Sequence, residues 1–322
     1  MGEAENRAVA VLGGGGVIGS SWATNFLWRG LPVNVYDVGE DCLKTARERV
    51  GANLDYLVGK GLLPPGKRDE ALKRAVYTTD IAEALRDVRF IQEAAPEKYE
   101  VKQALLAEVD RYAPADAVFA SSTSGLLISE IARDSAHPER CVGAHPYNPA
   151  HLIPLVEIGK GEKTSEETVR KACDFYKSLG KDPIVLQKEA FGFIANRLAV
   201  ALYREAVDLV VRGVCTLEDV DKAVCLGPGL RYALMGPNLG YHLSGGVHGI
   251  RGVLTHIGPT VEWWWEDMAA WHRWPAGWTE QAQAGVLEAM ANRDPATGRT
   301  PEEINRWRDD GLLLILKYLN KI

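Results

Sequence analysis

The sequence predicts an α/β fold: a doubly wound, mostly parallel sheet followed by a smaller all-helical domain. Three observations predict it. A glycine-rich turn joins an apolar strand to an amphipathic helix at the start of the chain. Further short apolar strands alternate with helical patterns as far as about residue 187. From Phe193 onward the apolar spacing is nearly all helical. Strand–helix alternation builds parallel sheets, because a parallel pair needs a crossover long enough to hold a helix. At 322 residues the chain is too long for one small domain, since domains run to roughly 100–200 residues. The change of pattern divides it into 1–189 and 190–322.

The elements follow in order. Ala8–Gly13 is a continuous apolar run broken by glycines, which favours a buried strand over a helix. Val17–Arg29 places Ile18, Trp22 and Phe26 on one helical face and stops at Gly30, a residue suited to a helix C-terminus. Val33–Asp37 is the second strand and completes a strand–helix–strand unit. Strands are expected at Val76–Thr79, Val88–Gln92, Ala117–Ser121, Cys141–His145, Ile153–Ile158 and Pro183–Gln187. Lys98–Tyr112 and Ser165–Leu179 are the clearest helices between them. Ile194–Arg212 is long and amphipathic, with Ala195, Leu198, Leu202, Val207 and Val210 among its apolar positions. Pro301–Leu319 is the last helix.

The first turn carries chemistry. Gly14-Gly15-Gly16-Val17-Ile18-Gly19 fits GxGxxG, with a strand before it, a helix after it, and Asp37 18 residues past Gly19 at the end of the next strand. Gly14 suits the tight turn, Gly16 lets backbone approach a pyrophosphate, and Gly19 lets helix and strand pack closely. The helix N-terminus offers unpaired N–H groups and a positive dipole end to phosphate. Asp37 would accept hydrogen bonds from ribose hydroxyls and repel a 2′-phosphate, so the Rossmann-type domain is expected to bind NAD rather than NADP.

Composition excludes other classes. Thirty-seven basic against 43 acidic residues give a net charge of −6, so nothing draws the chain globally to nucleic acid or anionic lipid. No apolar run approaches the roughly 18 residues of a membrane helix. Met1–Glu5 lacks the basic start of a signal peptide, and the mature chain is expected to begin near Met1. Cys42, Cys141, Cys173, Cys215 and Cys225 show no metal spacing and are expected to be buried thiols in a reducing cytoplasm. His242, His248 and His256 lack the i, i+4 pairing of a metal helix, and no metal is expected.

Three separated segments place polar or titratable groups at strand ends or a helix start, where ligands sit in open α/β sheets. They are Ala120–Gly125, His145–Pro149 running on to Pro154–Glu157, and Gly192–Arg197. Glu157 lies late in an apolar strand. Burial without a partner would cost several kcal/mol (about 2–7 even for neutral groups), so a partner is expected.

With these motifs the chain resembles the L-3-hydroxyacyl-CoA dehydrogenase superfamily. The matching stretches are GGGVIGSSWA, EAAPEKYEVK, ASSTSGL, HPYNPAHLIPLVE and FGFIANR, in the superfamily's order, across roughly residues 8–240. GVIGSSWA, HPYNPAHLIPLVEI and GPGLRYALMGP look more like the branch holding L-gulonate 3-dehydrogenase (lambda-crystallin) and L-carnitine dehydrogenase. The resemblance implies that His145 is the base when an alcohol is oxidised, that Glu157 orients it, and that Ser124 and Asn196 bind the reacting oxygen. It implies cofactor contacts at Ala94, Glu97, Lys102, Ser122 and Asn148. Ser122 departs from the Asn often found there in the CoA enzymes. A histidine suits the base role because it changes charge near neutral pH.

The expected substrate is a small 3-hydroxy acid. Arg231, beside a helix break in GPGLRY, has the planar fork that grips a free carboxylate. Trp263, Trp264, Trp265, Trp271, Trp274 and Trp278 crowd one segment with Glu262, Glu266 and Asp267 interleaved. They could cage a quaternary ammonium or close a dimer interface, and spacing leaves both open. The resemblance implies a homodimer through the helical domain. Three alternatives stand beside this reading: a CoA-thioester enzyme using Lys60, Lys67 and Arg68 on CoA phosphates, a non-catalytic crystallin-like protein, and an NAD-sensing module.

Overall fold

A computed structural model describes residues 7–322; the reading of Met1–Glu5 lies outside them. The first compact unit runs to Arg197 and takes in Lys321–Ile322, and the second is Leu198–Asn320. The first unit holds an eight-stranded sheet in the order β3-β2-β1-β4-β5-β6-β7-β8. Its strands are β1 Ala8–Leu12, β2 Val33–Tyr36, β3 Ala75–Thr78, β4 Val88–Glu93, β5 Val118–Ser121, β6 Cys141–Pro146, β7 Leu155–Lys160 and β8 Asp182–Val185. The first six are parallel, β7 runs antiparallel to β6, and β8 is parallel to β7. The mostly parallel doubly wound sheet is therefore present, and the order 3-2-1-4-5-6 reverses direction between β1 and β4, the crevice where such sheets take nucleotides.

The helices of this unit are α1 Val17–Trp28, α2 Glu40–Gly59, α3 Pro65–Leu72, α4 Ile81–Leu85, α5 Tyr99–Tyr112, α6 Ile128–Ile131 and α7 Glu166–Ser178. Central strands are buried on both faces, which is why they read as continuous apolar runs. Ala10, Leu12, Ile91, Phe119 and Cys141 meet Leu106 and Val109 of α5 and Ile128 and Ile131 of α6 in one core. Trp22 and Phe26 of α1, Phe90 of β4, and Phe175 and Tyr176 of α7 form an aromatic cluster. Ser165 caps α7 by accepting the Thr168 N–H at 3.1 Å.

The second unit is all helix: most of α8 (Ala195–Val211), then α9 Leu217–Leu226, α10 Pro228–Tyr232, α11 Pro237–Ser244, α12 Gly249–His256, α13 Gly258–Asp267, α14 Trp278–Asn292 and α15 Pro301–Tyr318. Capping boxes at Thr216/Asp219 and Thr300/Glu303 start α9 and α15. The long helix α8 is present, and its apolar positions differ in burial. Val207 is buried, but Leu198 and Leu202 are 62% and 51% exposed. The cysteines depart from expectation: only Cys141 is buried, Cys42, Cys173 and Cys215 are half-buried, and Cys225 is exposed. Among the described residues no helix is long and apolar enough to cross a membrane, and no His, Cys, Asp and Glu cluster could hold a metal.

Candidate active site

The glycine loop connects β1 to α1. Its left-handed residue is Gly13 (φ +90°), one position before the GxGxxG run; a Cβ there would also stand 2.7 Å from the Ala94 carbonyl oxygen. Gly19 faces back onto the loop, where a Cβ would stand 2.1 Å from the Gly13 oxygen, so only glycine lets α1 sit this close. Gly14 N–H donates to the Tyr36 carbonyl (3.0 Å) and Gly15 N–H to Asp37 Oδ2 (2.8 Å). Gly16 is the N-cap of α1, and no side chain caps it. A Cβ at Gly16 would have no neighbour nearer than 3.4 Å. The residues fit a dinucleotide: the helix presents uncapped N–H donors, the loop leaves room beside Gly16, and Asp37 directly follows β2. Val17 is exposed and Ile18 begins the cavity described next. One contact had no signal in the motif: Arg49 of α2 donates to the Gly15 carbonyl at 2.5 Å.

Four of the segments singled out in the sequence meet at a cavity of about 310 Å³. Ile18 comes from α1, Ser122 and Ser124 from the loop after β5, His145 to Asn148 from the end of β6, and Asn196 from the start of α8. His145 and Glu157 are directly opposed on the antiparallel pair β6/β7, so strand register alone brings them together. His145 Nδ1 lies 2.8 Å from Glu157 Oε2. An ionised carboxylate only accepts, so Nδ1 carries the proton and Nε2 of the neutral ring keeps its lone pair. Asn196 Nδ2 donates to the Ser124 carbonyl (2.8 Å) and stands 3.4 Å from His145 Nε2.

Glu157 is fully buried. Burial pushes its carboxyl up, but the His145 side chain and the N–H groups of Ala195 and Ile194 outweigh that and hold it below the usual carboxylate range. Both N–H groups donate to Oε1, at 2.9 and 2.8 Å. Burial, with the Glu157 charge adding to it, raises the Tyr147 phenol. Tyr147 stands edge-on to the His145 ring, and Phe193 stacks on the ring face. The sequence reading gave neither aromatic a role.

The remaining predicted cofactor residues form a supporting layer. Ala94 N–H donates to the Leu12 carbonyl (2.8 Å), beside the glycine loop. Ser122 Oγ accepts from Gln92 Nε2 (2.9 Å). Glu97 Oε1 accepts from Thr123 Oγ1 (2.6 Å) and from the Ser124 N–H (2.7 Å). Lys102 is buried, and its ammonium donates to both Glu93 oxygens and the Ala95 carbonyl and pairs with Glu97 at 3.4 Å. That turns Lys102 inward, with Glu97 the more exposed member of the cluster.

Arg231 lies exposed on α10 of the second unit and is not among the residues lining this cavity. The tryptophan segment divides in two. Trp263, Trp264 and Trp265 are exposed on α13. Trp274 and Trp278 line a second cavity of about 320 Å³ with Tyr203. Trp271 packs on Trp274 and donates its indole N–H to Asp208 (3.1 Å). Of the basic residues considered for CoA phosphates, Lys67 pairs with Glu70, Arg68 with Asp55 and Asp69, and Lys60 lies over the Tyr56 ring.

Known proteins match throughout. Residues 8–190 match the family described as 3-hydroxyacyl-CoA dehydrogenase, NAD binding domain, and residues 192–294 match 3-hydroxyacyl-CoA dehydrogenase, C-terminal domain. The chain is 41% identical over 312 residues to the L-carnitine dehydrogenase of Pseudomonas aeruginosa, covering 97% of this chain and 94% of that one. It is 37% identical over 310 residues to the L-carnitine dehydrogenase of Oceanobacillus iheyensis, covering 96% and 97%. Among solved structures it is similar to 5-formyl-3-hydroxy-2-methylpyridine 4-carboxylic acid 5-dehydrogenase, an NAD+-dependent dismutase, with a TM-score of 0.78 at 28% identity over 97% of each chain.

Proposed function

The chain belongs to the 3-hydroxyacyl-CoA dehydrogenase family, and from that premise we propose that it oxidises the 3-hydroxyl of L-carnitine or a close analogue to the ketone, with His145 as base. It is an NAD-dependent dehydrogenase acting on a CH–OH group, in the carnitine dehydrogenase branch. NAD, when bound, accepts the hydride from the carbinol carbon. The chain's own residues handle the proton: His145 Nε2 takes it from the hydroxyl as the C–H pair leaves, and returns it in reduction. Glu157 holds the Nδ1 proton in place and stabilises the imidazolium that forms. Ser124 and Asn196 fix the reacting oxygen. The glycine loop Gly14–Gly19 and Asp37 would hold the dinucleotide, Ala94, Glu97, Ser122 and Asn148 would contact it at the ribose and nicotinamide, and Lys102 would act through Glu97. Residues 1–189 form the NAD-binding domain, and 190–322 form the substrate and dimerisation domain. Arg231, exposed on α10, takes the substrate carboxylate in this reading, since a planar guanidinium can meet a carboxylate with two parallel hydrogen bonds.

The observation carrying this reading is His145, 2.8 Å from buried Glu157, lining a cavity with Ser124 and Asn196. The test is NADH formation from a panel of L-carnitine, L-gulonate, L-3-hydroxybutyrate and 3-hydroxybutyryl-CoA. L-carnitine is expected to give the highest kcat/KM. Preference for the CoA ester would replace the substrate assignment, and no NADH from any of the four would return the chain to a binding or structural role. His145→Gln should keep NADH affinity while lowering kcat by ~10²–10⁴, the range for a lost general base. Near-normal turnover would remove His145 from the mechanism. Arg231→Met should raise KM for the acid far more than for NAD; equal effects on both would end that assignment.

A further inference from the structure

The His145 imidazole is restrained on more sides than a histidine–carboxylate pair requires. Glu157 holds one edge through Nδ1. The ring of Phe193 lies over its face, with centroids 5.6 Å apart and planes 24° from parallel, the offset stack that aromatic rings prefer. Phe193 is 3% exposed and sits at φ +51°, a left-handed conformation in which bulky residues are genuine outliers. The sheet is cut away to receive its ring. At Gly159 of β7 a Cβ would stand 2.6 Å from Phe193 Cε1, and at Gly143 of β6 3.1 Å from Cζ. Each glycine is two residues from the catalytic pair on its own strand, Gly143 before His145 and Gly159 after Glu157, and they are partners across the ladder. Side chains two apart on a strand share a face. The two glycines therefore leave a bay beside the pair, and Phe193 fills it.

We infer that Phe193 is a positioning residue for the dehydrogenase reaction: seated on Gly143 and Gly159, its ring fixes the plane of the His145 imidazole so that Nε2 stays aimed into the cavity. Glu157 alone leaves the imidazole able to tilt about the Nδ1 hydrogen bond. A ring on the face removes that freedom, and a misplacement of about 1 Å can cost on the order of 10² in rate. The inference rests on the proposed role of His145, and its test includes a readout independent of turnover.

Three variants are compared with wild type: Phe193→Leu, Gly159→Ala, and the two combined. Thermal midpoint and NADH affinity report folding and cofactor binding, and L-carnitine oxidation reports kcat and KM. The side-chain NMR signals of His145, assigned by their loss in His145→Gln, report ring-current contact with Phe193. Phe193→Leu and Gly159→Ala should each fold, keep NADH affinity, and lower kcat about 10- to 100-fold with little change in KM. Both should move the His145 signals. The double variant should lose no more than Phe193→Leu alone, because with the ring gone the methyl introduced by Gly159→Ala has nothing to displace. Unmoved His145 signals in the single variants overturn the inference, as do additive losses or an equal fall in NADH affinity and turnover. If Phe193→Leu does not fold, Gly159→Ala alone decides; if neither folds, Phe193 is a folding residue and the inference is overturned. If wild type oxidises none of the four candidate substrates, the functional reading fails separately, and the NMR comparison still decides whether Phe193 holds the imidazole.

Discussion

A carboxylate without exposed surface is costly unless its lone pairs are met, and both oxygens of Glu157 are met. Oε1 takes the N–H groups of Ile194 and Ala195, and Oε2 takes His145 Nδ1. Glu157→Gln keeps the shape and removes the charge. The amide oxygen can still accept the two backbone N–H groups, and its NH₂ must then face Nδ1. That forces the imidazole proton onto Nε2, the nitrogen that has to take a proton from substrate. The expected loss in kcat is roughly 10²–10⁴, with NADH affinity unchanged; turnover within a few-fold of wild type would show that the tautomer is set elsewhere. A stability effect follows with a definite sign. The folded pKa of Glu157 lies below the ordinary value, so its ionised, hydrogen-bonded carboxylate stabilises the fold above about pH 4 and that contribution is lost as pH falls through the folded pKa. Denaturant unfolding should show the advantage of wild type over Glu157→Gln shrinking on acidification. An advantage that does not depend on pH would place it in packing instead of charge.

At the scale of elements, the site depends on the reversal between β6 and β7. The connection 147–154 carries Asn148 and is anchored from beneath. Ser21 of α1 bonds His151 through its ring (2.7 Å) and its N–H (2.9 Å). Lys181, just before β8, donates to the Ala150 and Ile153 carbonyls. Burial, with Arg29 nearby, pushes the Lys181 ammonium down to about 7. Between there and the usual lysine value of about 10.4, the unfolded chain holds a proton that the folded chain does not. Stability therefore rises with pH across that window. Lys181→Met removes the group, so the unfolding free energy of wild type relative to this variant should climb from about pH 7 towards pH 10; a flat difference would mean the ammonium stays charged in the fold. The strands, the glycine loop and the segments meeting at the cavity were legible because each has local chemistry: apolar runs, a glycine turn, polar groups at strand ends. The direction of β7 was not, since an apolar strand reads alike either way, and only the opposed pairing of residues 145 and 157 reveals it. Gly13 was hidden because φ is not written in the motif. Phe193 was hidden because its role depends on two glycines absent from its own segment. Lys102 was expected to contact the cofactor, and only tertiary structure shows it turned inward onto Glu93.

At the scale of the whole molecule, the helical unit leaves apolar surface that a soluble chain does not ordinarily expose in such quantity. Leu198 and Leu202 on α8, Trp263, Trp264 and Trp265 on α13, and Trp307 and Leu314 on α15 are all at least half exposed. A stable protein interface buries roughly 1,200–2,000 Å² in total, with large aromatics at its energetic centre. This surface supports the proposal that two copies associate through the helical unit, and the prediction concerns mass. Light scattering behind size exclusion should give twice the 35.3 kDa of the chain. Leu198 and Leu202 are four residues apart and share one face of α8, so replacing both by Glu places two charges where a second copy would bury them. A desolvated, unpaired charge costs several kcal/mol, enough to drive a dimer towards monomer at micromolar concentration. If the wild-type chain runs at 35.3 kDa, the exposed leucines and tryptophans must be covered by something other than a second copy. If the double Glu variant stays dimeric, α8 lies outside the interface, and Trp263–Trp265 on α13 become the next surface to charge.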